Sequence, residues 1–504
     1  QPITVDDGLT LRADVYRPVD DNAKCPVILT YGVYGKGVAY QQGYPQQWEK
    51  MVTDHPDILK ISSNKYQNWE TTDPEWWVPH GYAIVRVDSR GAAKSPGRLD
   101  VNSPAEFRDF YDAIEWAARQ PWCNGNVGLL GISYFAMTQW FVANLKPPSL
   151  KAIIPWEGAA DMYRDFAFHG GIFCFGFVAN WYMNHMAHHV LGKPYETNPD
   201  TFSKNWVWHY MRESLDRGQY RGRQAEWDKL DIPFMSVGNW SGMALHLRGN
   251  TEAFMQSKSK NKKLRIHAGT HYHAFYSAEG RRDQLRFFDH WLKGEDSGFM
   301  REPPVKFWVM GENRWRTATN WPLPETRWTK LYLNSWERLS AEPFTAGSVD
   351  QFVPPDAFVQ MPPSQTKTVQ RLRYMTAPLP DDVLVAGPIS LTLFAEIDQD
   401  DTNWFVILKD VGPDVSVMSV REGERELPDN LPEREVTRGW LKASLRATDP
   451  KRSKPWKPWH LLTRDSRKAV KPGEVNEYQI EVMATANMFR KGHRICVEIA
   501  SMDL

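Results

Sequence analysis

The apolar and polar positions divide the chain into two parts with different periodicity. Up to about residue 293, short and almost continuously apolar runs alternate with longer stretches whose apolar residues recur at helical spacing. Continuous apolar runs are typical of parallel strands that helices cover on both faces. We interpret six runs as strands: "PVILTYGVYG", "YAIVRVDSRG", "NVGLLGISYF", "LKAIIPWEG", "IPFMSVGNW" and "KLRIHAGTH". Alternation with helical patterns predicts an α/β fold with a doubly wound, mostly parallel sheet, whose catalytic groups gather at the carboxyl ends of the strands.

Two further segments complete the predicted organisation. Residues 161–226 are aromatic-rich and helical in pattern, and they fall between two predicted strands, so we interpret them as a helical cap over the carboxyl edge of the sheet. Beyond residue 300, runs such as "ISLTLFAEI" and "EYQIEVMATA" alternate at a period of two, which predicts an antiparallel all-β sandwich or jelly roll. The predicted domains are a catalytic domain of residues 1–160 and 227–300, a cap of 161–226 and a β domain of 301–504.

Composition narrows the classes of function. Lys plus Arg and Asp plus Glu both total 61 in the 504 residues, and this zero net charge argues against nucleic-acid and anionic-membrane partners. The four cysteines form no C-x-x-C pair, which argues against a zinc knuckle and favours a reducing, cytoplasmic setting. The sequence begins with Gln1 rather than Met, so a removed N-terminal segment stays open. The 23 Trp, 23 Phe and 19 Tyr are suited to lining a concave site for an organic ligand.

The stretch "NVGLLGISYFAMTQWF" predicts a nucleophilic serine. An apolar strand runs into Ser133 and a helix follows, and this strand–turn–helix arrangement exposes a serine hydroxyl above the sheet. Small residues must flank such a turn, and here they are Gly131 and Ala136. The second one comes a residue late for the G-x-S-x-G pattern and is alanine, so a plain strand end is the alternative interpretation.

Several motifs together identify a known family. In chain order they are "YGVYGKG", "RVDSRGAAKSPG", "WEGAADMYRDFAFHGG", "RIHAGTH" and "FRKGHRICVEIAS". This series resembles the X-Pro dipeptidyl-peptidase and cocaine-esterase (CocE/NonD) family of serine hydrolases over nearly the whole chain. The resemblance implies an α/β-hydrolase sheet with a helical cap, a C-terminal jelly roll of the galactose-binding-like type, and serine chemistry without a metal or organic cofactor. By the family's G-x-S-Y-x-G elbow, it assigns Ser133 as nucleophile and forms the oxyanion hole from the Tyr134 N–H and the Tyr34 hydroxyl.

The resemblance also assigns the catalytic base. At the position of the family's catalytic acid, however, this chain has a glycine. The family's catalytic histidine aligns with His271 of "HAGTH", whereas its aspartate, in a G-W-Y-D pattern, aligns with Gly242 of "VGNWSGMALHLRG". Glycine cannot orient an imidazole, so either the acid has moved to another position or the triad is impaired. We predict that Glu157, at the carboxyl end of the strand after the serine strand, replaces it, because the vacated Gly242 leaves room. The alternatives are Asp161, Asp165, Glu252, a Ser–His dyad or a lapsed triad.

A metal centre is the main rival to serine chemistry. His267, His271 and His273 could combine with His185, His188 and His189 of "NHMAHH" as ligands. Neither an H-E-x-x-H motif nor clustered carboxylates accompany them, so we expect solvated cap histidines and no metal site.

The substrate is predicted only as a class. We expect a small-molecule ester or lactone, or an amide, with a hydrophobic or aromatic group. The alternatives are an X-Pro dipeptidyl-peptidase, an α-amino-acid ester hydrolase and, from other classes, an acyltransferase or a lapsed binding protein. A homo-oligomer through the jelly roll is implied by resemblance alone. The residues predicted to line the pocket are aromatic: Trp156, Tyr163, Phe168, Phe173, Trp181 and Trp240.

Overall fold

The first sheet of the computed structural model contains ten strands and carries the predicted serine strand near its centre. The structure describes residues 1–20, 22–186, 205–216, 218–344, 355–415 and 431–503. The strand order is β1-β2-β4-β3-β5-β6-β9-β10-β11-β12. The strands span β1 Pro2–Thr4, β2 Thr10–Tyr16, β3 Cys25–Gly32, β4 Ala83–Asp88, β5 Cys123–Ile132, β6 Leu150–Trp156, β9 Phe234–Asn239, β10 Lys262–His267, β11 Val305–Val309 and β12 Arg314–Ala318. The strands β7 and β8 form a separate two-stranded sheet in the segment between β6 and β9.

The sheet is parallel from β4 to β11, as the continuous apolar runs predict. All pairs between these strands are parallel, whereas the pairs at the two edges are antiparallel. Each residue of β3, β4 and β9 is buried, which explains why those runs carry no polar alternation. The predicted α/β fold is confirmed, and β5, β6, β9 and β10 end at one edge of the sheet.

Helices cover the sheet on both faces. They span α1 Tyr40–Gly43, α2 Pro45–Asp54, α3 Ile58–Ile61, α4 Pro74–Trp77, α5 Pro104–Ala118, α6 Tyr134–Ala143, α7 Phe175–Asn180, α8 Trp206–Arg212, α9 Leu247–Gln256, α10 His273–Tyr276 and α11 Ala278–Phe288. The start of α5 follows from its sequence: Ser103 caps the N–H of Glu106, and Pro104 occupies the first turn. No helix in the described ranges is long and apolar enough to cross a membrane.

The described part of the inserted segment between β6 and β9 contains short helices and one hairpin, and it packs over α6. It contains the π-helices Met162–Ala167 and Trp181–Met186, the short hairpin of β7 Phe168–His169 and β8 Ile172–Phe173, and the helices α7 and α8. Its aromatic residues form one hydrophobic core with Tyr34, Tyr134 and Phe135. The predicted His188 and His189 lie outside the described residues.

The C-terminal part forms a second, β-rich unit. Its sheet has the order β13-β14-β15-β20-β17-β18-β19-β16, and the long pairs are antiparallel. The strands span β13 Tyr332–Asn334, β14 Arg338–Ser340, β15 Arg371–Met375, β16 Val383–Ala395, β17 Asn403–Val415, β18 Leu431–Lys442, β19 Asn476–Phe489 and β20 Arg494–Ala500. The predicted C-terminal β domain is confirmed. The boundary at residue 300 stays a prediction, and β11 and β12, which it assigns to that domain, pair with the first sheet.

Candidate active site

Ser133 occupies the tight turn between β5 and α6. Its backbone angles, φ 57° and ψ −114°, lie where a side chain is strained, a cost of about 1–3 kcal/mol that surrounding contacts must offset. The Ser133 N–H donates to the carbonyl of Trp156 at 3.0 Å, and its own carbonyl accepts from Ala136 and Met137. The strand on one side and the helix on the other therefore hold the serine in place.

Small residues around the turn explain how it forms without the family's second glycine. A Cβ at Gly131 would lie 2.4 Å from the Phe135 Cβ, so this position requires glycine. Ala136 is tolerated because the residue that faces it is Gly158, where an added Cβ would come within 3.1 Å of the alanine methyl. The space that the G-x-S-Y-x-G pattern provides at residue 136 is provided here by the neighbouring strand end.

The two predicted oxyanion donors are the Tyr134 N–H, directly after the serine, and the Tyr34 hydroxyl, whose ring packs on Tyr134. Tyr134 is the first residue of α6, so its N–H is among those that a helix leaves without an internal partner. The Tyr34 ring lies 6.0 Å from the Tyr134 ring, and its hydroxyl oxygen accepts a 2.7 Å bond from the Trp181 indole. The Tyr34 proton is thus left to donate elsewhere. Burial first, and then the Glu70 charge, raises the pKa of Tyr34 well above its usual value and keeps it protonated.

Glu157 follows β6 as a buried carboxylate and, like Ser133, has a left-handed backbone, with φ 51°. Its Oε1 accepts a 3.2 Å bond from the Asn239 amide and lies 3.2 Å from His267 Nε2. Its Oε2 lies 2.8 Å from His271 Nδ1. Burial alone would raise the pKa of Glu157, but the charge of His271 and hydrogen bonds from His267 and His271 outweigh burial and hold it well below the usual value. Glu157 is therefore an anion.

The histidine that contacts the serine is His246, immediately before α9. Its Nε2 lies 3.1 Å from Ser133 Oγ, and its Nδ1 lies 3.7 Å from Glu157 Oε2. Burial, and after it the charge of His271, lowers the pKa of His246 to about 3, while Glu157 acts in the opposite direction. A neutral imidazole therefore faces the serine hydroxyl, and in the tautomer that carries its proton on Nδ1, Nε2 can accept the serine proton.

His271, the predicted base, is engaged differently. Its Nδ1 contacts Glu157 as the sequence predicts, but its Nε2 lies 2.9 Å from Oε1 of Glu70. The Ser133 hydroxyl bond goes to His246 instead, whose ring stacks on that of His271 at 5.1 Å. Neither His246 nor Glu70 is among the site residues predicted from the sequence. A signal for His246 exists, because "GMALHLRG" follows the end of a predicted strand at the catalytic edge.

The other acid candidates serve the structure. Asp161 caps the π-helix Met162–Ala167 by accepting from the Tyr163 and Arg164 N–H groups, and Asp165 pairs with Arg248 at 3.0 Å. Glu252 lies within α9 and pairs with Lys457 of the C-terminal domain. Each of these carboxylates has partners other than a histidine of the site.

The structure distributes the predicted pocket aromatics over four places. The Trp181 indole bonds to the Tyr34 hydroxyl, and Trp156 packs against His267 with ring centroids 5.9 Å apart. Tyr163 stacks on Phe168, and Phe173 packs on Phe168 too, so these three lie in the cap core. Trp240 does not reach the pocket, because its indole donates to the Trp308 carbonyl and its ring packs on Trp321.

The carboxylate and the two histidines beside Ser133 are residue types that also bind metals. Glu157, His246 and His271 bring ligand-type atoms within 4.8 Å of one another. We assign no metal to them, because His246 Nε2 is bonded to the serine and both nitrogens of His271 are bonded to carboxylates. Of the cap histidines, His185 stacks on Tyr44 with ring centroids 5.7 Å apart.

Two family models match this chain, and together they cover most of it. The model of the X-Pro dipeptidyl-peptidase (S15 family) matches residues 7–273, and that of the X-Pro dipeptidyl-peptidase C-terminal non-catalytic domain matches residues 297–504. The chain belongs to the X-Pro dipeptidyl-peptidase S15 family. It is a serine hydrolase of the CocE/NonD type.

Three relatives show which kinds of protein this S15-family chain is similar to. A CocE/NonD family hydrolase from Staphylococcus aureus superposes with a TM-score of 0.84 at 29% identity, over 100% of this chain and 85% of that one. A putative serine esterase of Mycobacterium bovis is 25% identical over 99% of this chain and 90% of its own length. The cocaine esterase of Rhodococcus sp. is 25% identical over 99% of this chain and 89% of its own length.

Gly242 explains how this S15-family chain accommodates a glutamate at the site. A Cβ at Gly242 would lie 3.2 Å from Glu157 Oε2 and 3.7 Å from the Cβ of His246. We expect Gly242→Ala to displace the carboxylate and lower kcat for esters by about 10- to 100-fold, because a misplacement below 1 Å is enough to disturb a catalytic group. Steady-state kinetics check this.

Gly176 in α7 offers the control for that substitution. An added Cβ there meets nothing within 4 Å, so Gly176→Ala should leave kcat unchanged. Wild-type kcat in the Gly242→Ala variant would mean that Glu157 does not need this space.

Proposed function

We propose that the chain is an esterase that hydrolyses small esters or lactones through an acyl-enzyme on Ser133. The observation that carries this proposal is the 3.1 Å contact between Ser133 Oγ and the neutral, buried imidazole of His246, at a strained turn beside two donors. A serine paired with a base, a carboxylate behind that base and an oxyanion site are the parts that acyl transfer requires.

The reaction follows from these contacts. The Ser133 oxygen attacks the carbonyl carbon while its proton passes to His246 Nε2. The Tyr34 hydroxyl and the Tyr134 N–H donate to the oxyanion that forms. When the C–O bond breaks, His246 returns the proton to the departing alcohol oxygen. Water, deprotonated by His246, then attacks the acyl group, and release of the acid restores Ser133.

Glu157 is proposed as the acid behind this base. The charged form of His246 exists only between proton uptake and proton return, and the anionic Glu157, 3.7 Å from Nδ1, stabilises it during that interval. The sequence-based assignment of His271 as base remains the second candidate. Its 2.8 Å contact with Glu157 favours it, and its Nε2 bond to Glu70 opposes it.

The surroundings favour substrates with an apolar group. A cavity that Tyr34 lines has Tyr44, Trp69 and Phe135 among its other walls, together with the charged side chains Lys36, Arg86 and Asp88. The Tyr44 and Trp69 rings stack with centroids 4.2 Å apart. A flat hydrophobic or aromatic acyl or alcohol group suits these faces. Amide cleavage and acyl transfer to an alcohol are the competing activities of the same serine.

Active-site labelling tests the proposal. A fluorophosphonate probe should modify Ser133 in the wild type and leave Ser133→Ala unlabelled, with the modified peptide identified by mass spectrometry. A panel of aryl esters, lactones and dipeptide amides, assayed on both forms, should show ester turnover that depends on Ser133. Product analysis with added alcohol separates hydrolysis from acyl transfer. An unlabelled wild type without ester turnover would contradict the proposal.

A further inference from the structure

Glu70, which the mechanism above does not use, is a buried carboxylate beside the nucleophile. Its carbonyl accepts from the N–H of Ile132 at 3.0 Å, directly before Ser133. Its φ of 61° places it in the same left-handed region as Ser133 and Glu157. Such conformations persist at non-glycine residues only where the surroundings enforce them, and they concentrate at functional sites. The side chain of Glu70 is therefore a candidate for a role in the reaction.

That side chain completes a symmetrical arrangement around His271. The ring lies between two carboxylates, 2.8 Å from Glu157 Oε2 at Nδ1 and 2.9 Å from Glu70 Oε1 at Nε2. A neutral imidazole has one N–H, so it would turn a lone pair towards one of the two carboxylates. A doubly protonated ring donates to both. The contacts therefore favour an imidazolium between two anions.

The direction of the pKa shift of His271 agrees with a doubly protonated ring. Burial lowers the pKa of His271, but the charge and hydrogen bond of Glu157, followed by those of Glu70, raise it well above its usual value. Burial and the charge of Glu157 raise the pKa of Glu70, and the hydrogen bond and charge of His271 lower it only in part, so it stays above its usual value.

A ring that donates at both nitrogens cannot accept the serine proton. His246 can, because its Nε2 faces Ser133 Oγ. The two rings stack at 5.1 Å and 14°, so a positive His271 opposes a second positive charge on His246 and keeps that ring available as an acceptor.

We propose that Glu70 is a positioning residue of this site: its hydrogen bond to Nε2 holds His271 as a doubly protonated ring between two carboxylates, and this reserves His246 for the serine proton. The inference rests on the proposed function and adds to it a fourth side chain and the division of labour between two histidines.

The groups that face the two rings come from several elements. Glu157 and His267 come from the ends of β6 and β10, Ser133 precedes α6, and the tyrosines coupled to the Glu70 charge surround it. These tyrosines are Tyr34, Tyr44 and Tyr276.

The first test observes the ring protons directly. ¹⁵N-histidine-labelled wild type is followed by NMR from pH 5 to 9, and the His271→Asn variant identifies which signals belong to His271. We expect both ring nitrogens of His271 to carry protons at pH 7, above the pH at which an ordinary histidine loses one. A His271 that carries one proton at pH 7 would overturn the proposal. This measurement needs no variant at Glu70 and therefore holds even if such a variant folds poorly.

The second test removes the charge of Glu70. In Glu70→Gln, one ring proton of His271 should be lost at a pH lower than in the wild type by about one unit or more, because Nε2 no longer faces an anion. The pH profile of kcat/KM for an aryl ester should gain a step at that lower pH, because His246 faces a positive ring only below it. The control is Glu75→Gln, on the same segment, whose carboxylate bonds to Ser62 and Ser63 and to neither histidine. It should leave both readouts unchanged.

The outcomes separate the two proposals. An unchanged pH profile and unchanged ring protons in Glu70→Gln would refute the role of Glu70 while ester turnover and Ser133 labelling leave the proposed function intact. Absence of Ser133 labelling in the wild type would refute the proposed function, whatever the ring spectrum shows.

Discussion

His246→Asn is expected to lower kcat/KM for esters by about 10⁴-fold or more, because the variant removes the acceptor of the serine proton. His271→Asn removes a group that contacts Glu157 but does not bond to Ser133 in the structure, so we expect a loss of about 10- to 100-fold. The comparison of the two variants at the same pH is the measurement, with circular dichroism to verify folding.

The reverse order would identify the base as His271. If His271→Asn lost about 10⁴-fold while His246→Asn stayed within a factor of ten, the sequence-based assignment would hold, and substrate binding would have to release His271 from Glu70. Fluorophosphonate labelling rates give a second readout, because they report activation of Ser133 without a leaving alcohol.

Glu157→Gln is expected to lower kcat by about 10³- to 10⁴-fold, because a neutral amide cannot stabilise the positive charge on the base and presents an N–H group to a ring nitrogen. The loss should appear in kcat rather than KM, because Glu157 is buried behind the histidines and acts when the base is charged.

Asp161→Asn is the matched control for that loss. Asp161 stands four residues further along the same segment, caps a helix and pairs with Arg164. Its change should leave kcat within about threefold. If Asp161→Asn abolished activity and Glu157→Gln did not, the acid would have to be reassigned.

The sheet could be predicted because strands buried on both faces have continuous apolar runs. At the edge of the sheet this signal changes. In β11 buried and half-buried positions alternate, so "VKFWV" has the period of the C-terminal domain, to which the sequence analysis assigned it. The β7–β8 hairpin has two residues in each strand, too few to show any period.

The candidate site residues that could be predicted are those that directly follow a strand. Ser133 follows from a strand–turn–helix pattern, and Glu157 from its place at the end of the next strand. His246 and Glu70 could not be assigned in this way, because their partners lie 113 and 201 positions away in the chain. The choice between two histidines that share one carboxylate is a matter of distances, which no local pattern encodes.

The proposed base stands at the boundary between the two halves of the molecule. Leu247, the next residue, belongs to a hydrophobic core that includes Tyr478 and Ile480 of β19. Arg248, one position further, lies 3.6 Å from Glu481 on the same strand. A displacement of the C-terminal domain would therefore act on the start of α9, directly after His246. Substitutions in β19 thereby become a means of tuning turnover without altering any group that touches the substrate.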